Sequence, residues 1–191
     1  IGVVYYILGE LRKALEYFEE ALKINEKIDN HEGQASQLGN IGIIHYSLGK
    51  LRKALEYYEK SLRVAEQIDN FQIQAQILGN IGVIYATLDE PQKALGYQQK
   101  ALGLAEKIGN FEIQAKALGN MGIVYQSLGE SDKGLECLEK ALELDKKTGN
   151  LAGQAEELAN IGAAYGNMGN PQKALGYYQR AREIFVKIGA K

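Results

Sequence analysis

Four asparagines, Asn40, Asn80, Asn120 and Asn160, recur at intervals of 40 residues in the middle of apolar segments. Asparagine is a middling helix former, and three of these stand directly beside Gly39, Gly79 and Gly119. A local cost accepted four times over points to a task for the side chain. An amide donates and accepts at once, so it can hold a polypeptide backbone irrespective of sequence. In the competing reading each amide bonds a neighbouring helix and fixes the stacking, which requires buried partners.

At helical spacing, Ser36, Asn40, Ile43 and Ser47 form one stripe, opposite Ala35, Leu38, Gly42 and His45. Carried through the copies, the stripe and its border give the columns Ser36, Gln76, Lys116, Glu156; Ile43, Val83, Ile123, Ala163; Tyr46, Ala86, Gln126, Gly166; and Ser47, Thr87, Ser127, Asn167. Only Lys116 and Glu156 are charged, and they cancel. The expected surface is near-neutral, mildly apolar and hydroxyl-lined, with more room where Tyr46 gives way to Gly166. The candidate peptide-binding set is the four asparagines with Ile43, Val83, Ile123, Tyr46, Ser47, Thr87, Lys116, Gln126 and Ser127.

Other reactive residue types stand alone. His45 replaces tyrosine in the column of Tyr5, Tyr85, Tyr125 and Tyr165, and reads as a satisfied core ring. His31 heads a helix with no triad or metal set around it. Cys137 stands where other copies have Tyr17, Tyr57, Tyr97 and Tyr177, without the base or dipole that activates a thiol. The Lys13 column is expected to lay its stems on apolar surface with the amines in water. Phe71 and Phe111 are expected to wedge against the preceding helix. No GxGxxG, Walker loop or HExxH is present. No catalytic residue, metal or cofactor is assigned, and the chain does not read as an enzyme.

The net charge is −2 with no basic run longer than a pair, which argues against a nucleic-acid partner. No apolar run approaches spanning length, so membrane insertion is not expected. The one cysteine allows no intrachain disulfide and fits a reducing, cytoplasmic setting. The first residue, Ile1, falls inside a repeat, and the chain reads as a fragment of something longer.

These side chains are positioned by a strict 40-residue period. Gly2, Gly42, Gly82, Gly122 and Gly162 share a column, as do Lys13, Lys53, Lys93, Lys133, Lys173 and Leu15, Leu55, Leu95, Leu135, Leu175. Such a period marks a stacked repeat array rather than one globular core. A single array over 1–191 is expected, with repeats near 1–30 (its first helix truncated), 31–70, 71–110, 111–150 and 151–191. In the second copy, helical spacing runs from Gln34 to Leu48 and again from Leu51 to Ile68. Gly49 stops the first helix, and Asp69-Asn70 separates the copies. Pro91 and Pro171 sit at second-helix starts, where a missing N–H is harmless. Asp89 replaces a turn glycine and should weaken that turn. Gly134 replaces alanine and should make the fourth copy's second helix the softest.

The unit resembles the tetratricopeptide repeat at Ile41-Gly42, His45, Ala54, Tyr58 and Ser61, and more closely at Ile81-Gly82-Tyr85-Ala94 and Met121-Gly122-Tyr125. The family's proline at the end of the second helix is absent, and a longer second helix accounts for 40 residues in place of about 34. The longer form is similar to Pins/LGN adaptors and to bacterial and archaeal regulators. The resemblance implies an all-α, right-handed superhelical solenoid of antiparallel helix pairs. It implies that the first helices line a concave groove, with the four asparagines as a ladder along its floor. Some members clamp a carboxylate with several Lys and Arg, to which only Lys116 could contribute here. The implied function is a protein-interaction scaffold that binds an extended peptide or partner segment. The alternatives are self-association through exposed array ends, starting with Ile1, Val3 and Val4, and a sensor arm of a larger signalling protein. Arg182 replaces the leucine of Leu22, Leu62, Leu102 and Leu142 and reads equally as a polar cap or a special junction.

Overall fold

A computed structural model describes residues 1–189. The described residues form α1 (Gly2–Ile7), α2 (Leu11–Lys27), α3 (His31–Ser47), α4 (Leu51–Gln67), α5 (Phe71–Thr87), α6 (Pro91–Lys107), α7 (Phe111–Ser127), α8 (Ser131–Thr148), α9 (Leu151–Asn167) and α10 (Pro171–Lys187). Consecutive helices pair antiparallel, and each pair stacks on the next to give the solenoid. No described helix is long and apolar enough to cross a membrane.

Both kinds of turn are built alike and three residues long, except between α8 and α9, where Gly149 and Asn150 alone make the turn. After α3, the Gly49 N–H donates to the Tyr46 carbonyl and the Lys50 N–H to the His45 carbonyl, each at 2.8 Å. This double bond pattern satisfies the open carbonyls of a helix end and needs a left-handed residue at its centre. Gly9, Gly49, Gly129 and Gly169 supply it, and Asp89 is forced into the same region at φ 58°. Between repeats the residue completing the pattern also starts the next helix. The Asn70 N–H donates to the Ala65 carbonyl at 2.9 Å, and its side chain accepts from the Ile73 N–H at 3.0 Å. Asn30, Asn110 and Asn150 do the same, capping Gly33, Ile113 and Gly153. First helices therefore begin at His31 and its counterparts, three residues before the point where apolar spacing begins at Gln34. The cap, not the periodicity, sets the start.

The period-40 glycine column is where the two helices of a pair touch. A Cβ on Gly42 would stand 2.5 Å from the Tyr58 ring, and one on Gly122 2.6 Å from Leu138 Cγ. Phe18 and Tyr178 cover Gly2 and Gly162 in the same way. Around this contact lie Ile41, Ile44, Ile81, Ile84 and Ile161, all at most 2% exposed. Burying each such side chain contributes about 1.5–3 kcal/mol. Ser61 interrupts an alanine column, and its buried hydroxyl donates to the Ala35 carbonyl at 2.7 Å.

Tyrosines clasp the turn end of three pairs, with Tyr5 on Tyr17, Tyr85 on Tyr97 and Tyr165 on Tyr177, ring centroids 5.2–5.4 Å apart. The amines of Lys13, Lys93, Lys133 and Lys173 sit 4.8–5.6 Å over the rings of Tyr5, Tyr85, Tyr125 and Tyr165. This column thus contributes its charge as well as its stem. Phe71 and Phe111 lie under Lys107 and Lys147, each 3.8 Å from the ring centroid, so their partners include the second helix of their own repeat.

Gly134 differs from the expectation of a soft helix. Its added Cβ would meet Gln126 Cγ and the Gly122 carbonyl oxygen at 3.0 Å, so it is a close-approach site within an unbroken α8. The unsupported helical glycines are Gly96 and Gly103 in α6 and Gly176 in α10, which have no neighbour within 4 Å of an added Cβ. Gly103→Ala should therefore stabilise by about 1 kcal/mol. Gly42→Ala should destabilise by about 1–3 kcal/mol through overpacking. Thermal unfolding followed by circular dichroism distinguishes the two, and equal shifts of one sign would refute the close-contact account.

Candidate functional site

The first helices α3, α5, α7 and α9 lie side by side. One cavity of about 690 Å³ runs across them. Asn40, Asn80, Asn120 and Asn160 all line it, together with Ile43, Ile123 and Lys116 from the sequence set. All four asparagines are half-buried. The Asn40 amide donates to Gln37 Oε1 at 3.5 Å and the Asn160 amide to Glu157 Oε2 at 3.4 Å, both long bonds within one helix. Among the described residues, the Asn80 and Asn120 side chains have no hydrogen-bond partner. The amides therefore do not tie neighbouring helices together.

The rest of the sequence set lies outside this cavity. Thr87 Oγ1 donates to the Val83 carbonyl at 2.9 Å and Ser127 Oγ to the Val124 carbonyl at 2.7 Å, so both hydroxyl protons are committed to their own last turn. Ser47 and Tyr46 are exposed beyond the cavity, and Val83 is half-buried beside it. Gln126 packs over Gly134, and a Cβ on Gly166 would stand 3.9 Å from Ala174 Cβ. That column borders the second helix of its own repeat, about a third of a turn from the asparagines. Its taper from Tyr46 to Gly166 does not widen the groove.

The expectation of neutrality also fails. Lys116 is paired with Glu112 at 2.7 Å, and the cavity wall adds Glu156 and Glu157. Three carboxyl groups face one ammonium. Glu157, only 7% exposed, sits at the position where α5 has Ile77, whose methyl packs on Gly39 of α3. Its carboxyl lies against Gly119 of α7, where any Cβ would overlap Oε1. Burial raises its pKa to about 7, offset in part by the Asn160 amide. An adjoining cavity of about 510 Å³ shares Glu112, Lys116, Glu156 and Glu157 and reaches Asp145 of α8. Burial also raises the Asp145 carboxyl, against a 2.8 Å hydrogen bond from Asn150.

Gln98 is a second residue the sequence reading passed over. It is 1% exposed and occupies the place of Tyr58 and Leu138, with its Nε2 donating to the Gly79 carbonyl at 2.9 Å. Its Oε1 is buried without a partner among the described residues, and the residue lines the 690 Å³ cavity. Both residues carried a signal. Gln98 is the one polar member of the column Phe18, Tyr58, Leu138, Tyr178, and Glu157 the one acid in the column Gln37, Ile77, Ala117.

The remaining candidates are structural. His45 stacks on Tyr57 at 5.2 Å and is 6% exposed, but its Nδ1 has no partner, so it is not the satisfied ring expected. Burial, then Lys53 and Lys50, lowers its pKa and keeps it neutral. Burial pushes the Cys137 thiol up, away from nucleophilic use.

Because burial raises the Glu157 pKa to about 7, this group's contribution to stability is greatest below its ordinary pKa of 4.5 and falls as pH rises toward about 7. Linkage puts that loss at about 3 kcal/mol. Glu157→Gln keeps the shape without the ionisation. Its urea midpoint should match the wild type at pH 4 and exceed it at pH 8; an equal difference at both pH values would remove the buried acid from the account.

Models of the tetratricopeptide repeat match residues 1–67 and 113–186, and a second such model matches 40–109. No curated protein matches. Among solved structures, BtubC (BKLC) from P. vanneervenii superposes with a TM-score of 0.80 at 23% identity, over 100% of this chain and 79% of that one. A Rap protein complexed with competence and sporulation factor gives 0.86 at 17% identity, over 97% of this chain and 52% of that one. MamA gives 0.65 at 24% identity, over 100% and 98%. The chain belongs to the tetratricopeptide-repeat family, a family of protein-interaction scaffolds.

Proposed function

We propose that this array is a non-enzymatic adaptor that holds an extended segment of a partner protein along the first-helix groove, in a cytoplasmic setting. One observation carries the reading: four asparagines from four successive helices line a single cavity, and the central two have no hydrogen-bond partner among the described residues. Half-buried amides without partners are poised for a main-chain N–H and carbonyl. Ile43 and Ile123 flank them with apolar surface. Affinity from main-chain bonds and selectivity from side-chain pockets is a recurrent mode of peptide recognition. The Rap protein of similar fold was solved with a bound factor, which fits an array of this kind holding a partner.

The groove reading is tested with the Asn80→Ala/Asn120→Ala variant against an extended-peptide library. Removing both amides should weaken enriched peptides on the order of 10- to 100-fold, from about 1 kcal/mol or more per hydrogen bond. The melting temperature should hold. Unchanged binding would move the site off the ladder, and a lowered melting temperature would make the asparagines structural.

A further inference from the structure

The position three residues before each ladder asparagine decides whether that rung is free. Gln37, Ile77, Ala117 and Glu157 occupy it in α3, α5, α7 and α9. One helical turn puts such a side chain beside the amide. Gln37 accepts from the Asn40 amide at 3.5 Å and Glu157 from the Asn160 amide at 3.4 Å. Ile77 and Ala117 offer no side-chain acceptor, and Asn80 and Asn120 have no partner among the described residues. The two end rungs are therefore engaged from within, by bonds long enough to exchange readily. Gln37 has no charge to change, whereas Glu157 does.

Glu157 stands where its protonation state affects the rung. It is 7% exposed, its carboxyl lies against Gly119 between α7 and α9, and it lines the same cavity as the four asparagines. The charged groups around it come from three helices: Glu112 and Lys116 of α7, Asp145 of α8, and Glu156 of α9 itself. Among the described residues, α5 and α10 present no charged side chain to either cavity. Burial, Asp145 and Glu156 favour the neutral acid, and the Asn160 amide favours the ionised one. Lys116, the one cation, is already paired with Glu112. A neutral carboxyl competes for Asn160 no more strongly than Gln37 does for Asn40. An ionised one accepts a charge-assisted bond, which is roughly twice as strong.

We infer that Glu157 is the positioning residue of the last rung: protonated, it yields the Asn160 amide to a bound segment, and ionised, it withdraws that amide, so that binding takes up a proton. The inference rests on the groove reading above and adds its regulation. Affinity for the segment is then full below about pH 7 and falls as the pH rises beyond it.

The test uses peptides enriched from a displayed library at about pH 6 and chosen without His, Cys or a free α-amine, so that the ligand itself does not titrate. Dissociation constants are measured from about pH 6 to about pH 9, with helicity recorded at each pH. Wild-type affinity should fall about tenfold across this range. Glu157→Gln gives the last rung the chemistry of the first, and its affinity should not vary with pH. Glu156→Gln should keep the loss but move it to lower pH, because one charge that favours the neutral acid is gone. Asn160→Ala should flatten the profile, and a profile that survives there would overturn the role through Asn160. Calorimetry at about pH 7.5 in two buffers of different ionisation enthalpy should show proton uptake on binding by the wild type and none by Glu157→Gln. Equal profiles for wild type and Glu157→Gln, or tighter wild-type binding at high pH, would overturn the coupling while leaving the groove reading intact. A library with no enriched member would overturn both.

Discussion

The array depends on one contact: a large side chain of each second helix laid directly on the backbone of its first helix, where a glycine leaves room. Phe18, Tyr58, Gln98, Leu138 and Tyr178 make this contact on Gly2, Gly42, Gly82, Gly122 and Gly162. The close approach sets how the two helices of a repeat cross, and so which face of the first helix is left open. With the Gly42 side turned inward, the Asn40 stripe must turn outward. Identical contacts in successive repeats bring the four open stripes into register as one cavity. The identity of the covering side chain is secondary to its size, since an aromatic ring, a leucine and a glutamine all serve.

That tolerance lets chemistry enter the core. At Gln98 the covering group is polar, and one end is anchored on the Gly79 carbonyl while the other is buried without a partner among the described residues. At Glu157 a carboxyl takes a place that Ile77 fills elsewhere, with its charge suppressed by burial. Similar exchanges occur where repeats join. Asn25 and Asp145 lie against Gly33 and Gly153, whereas the corresponding places in the other repeats hold Ala65 with Ile73 and Ala105 with Ile113. Polar bulk on one helix is matched by absence of bulk on the other, so the local volume is conserved.

The repeat length, the helix pairing and the line of asparagines were legible in the sequence because each depends on residues that recur. A glycine repeated five times at one spacing has a common cause. The charge of the groove was not legible, because it rests on residues that break their columns. Glu157 falls in neither helical stripe, and only the glycine opposite, Gly119, makes its place part of the cavity wall. Gln126 went wrong in the opposite direction. Its place beside the stripe looked open, but Gly134 drew it onto the second helix. In both cases the deciding fact is a missing Cβ on another helix, which periodicity within one helix does not register.

The asparagine that ends one repeat and begins the next acts as a gearing device. Because Asn30, Asn70, Asn110 and Asn150 close one helix and cap another with no residue between, the phase from repeat to repeat has no slack. Losing or gaining a single residue there would rotate the following helix by about 100° and turn its asparagine out of line. The groove can therefore lengthen only in whole repeats. First helices packed about 8–10 Å apart advance by about three residues of an extended chain. Under the proposed groove reading, an extended partner would be counted in steps of about three residues, one asparagine to each step.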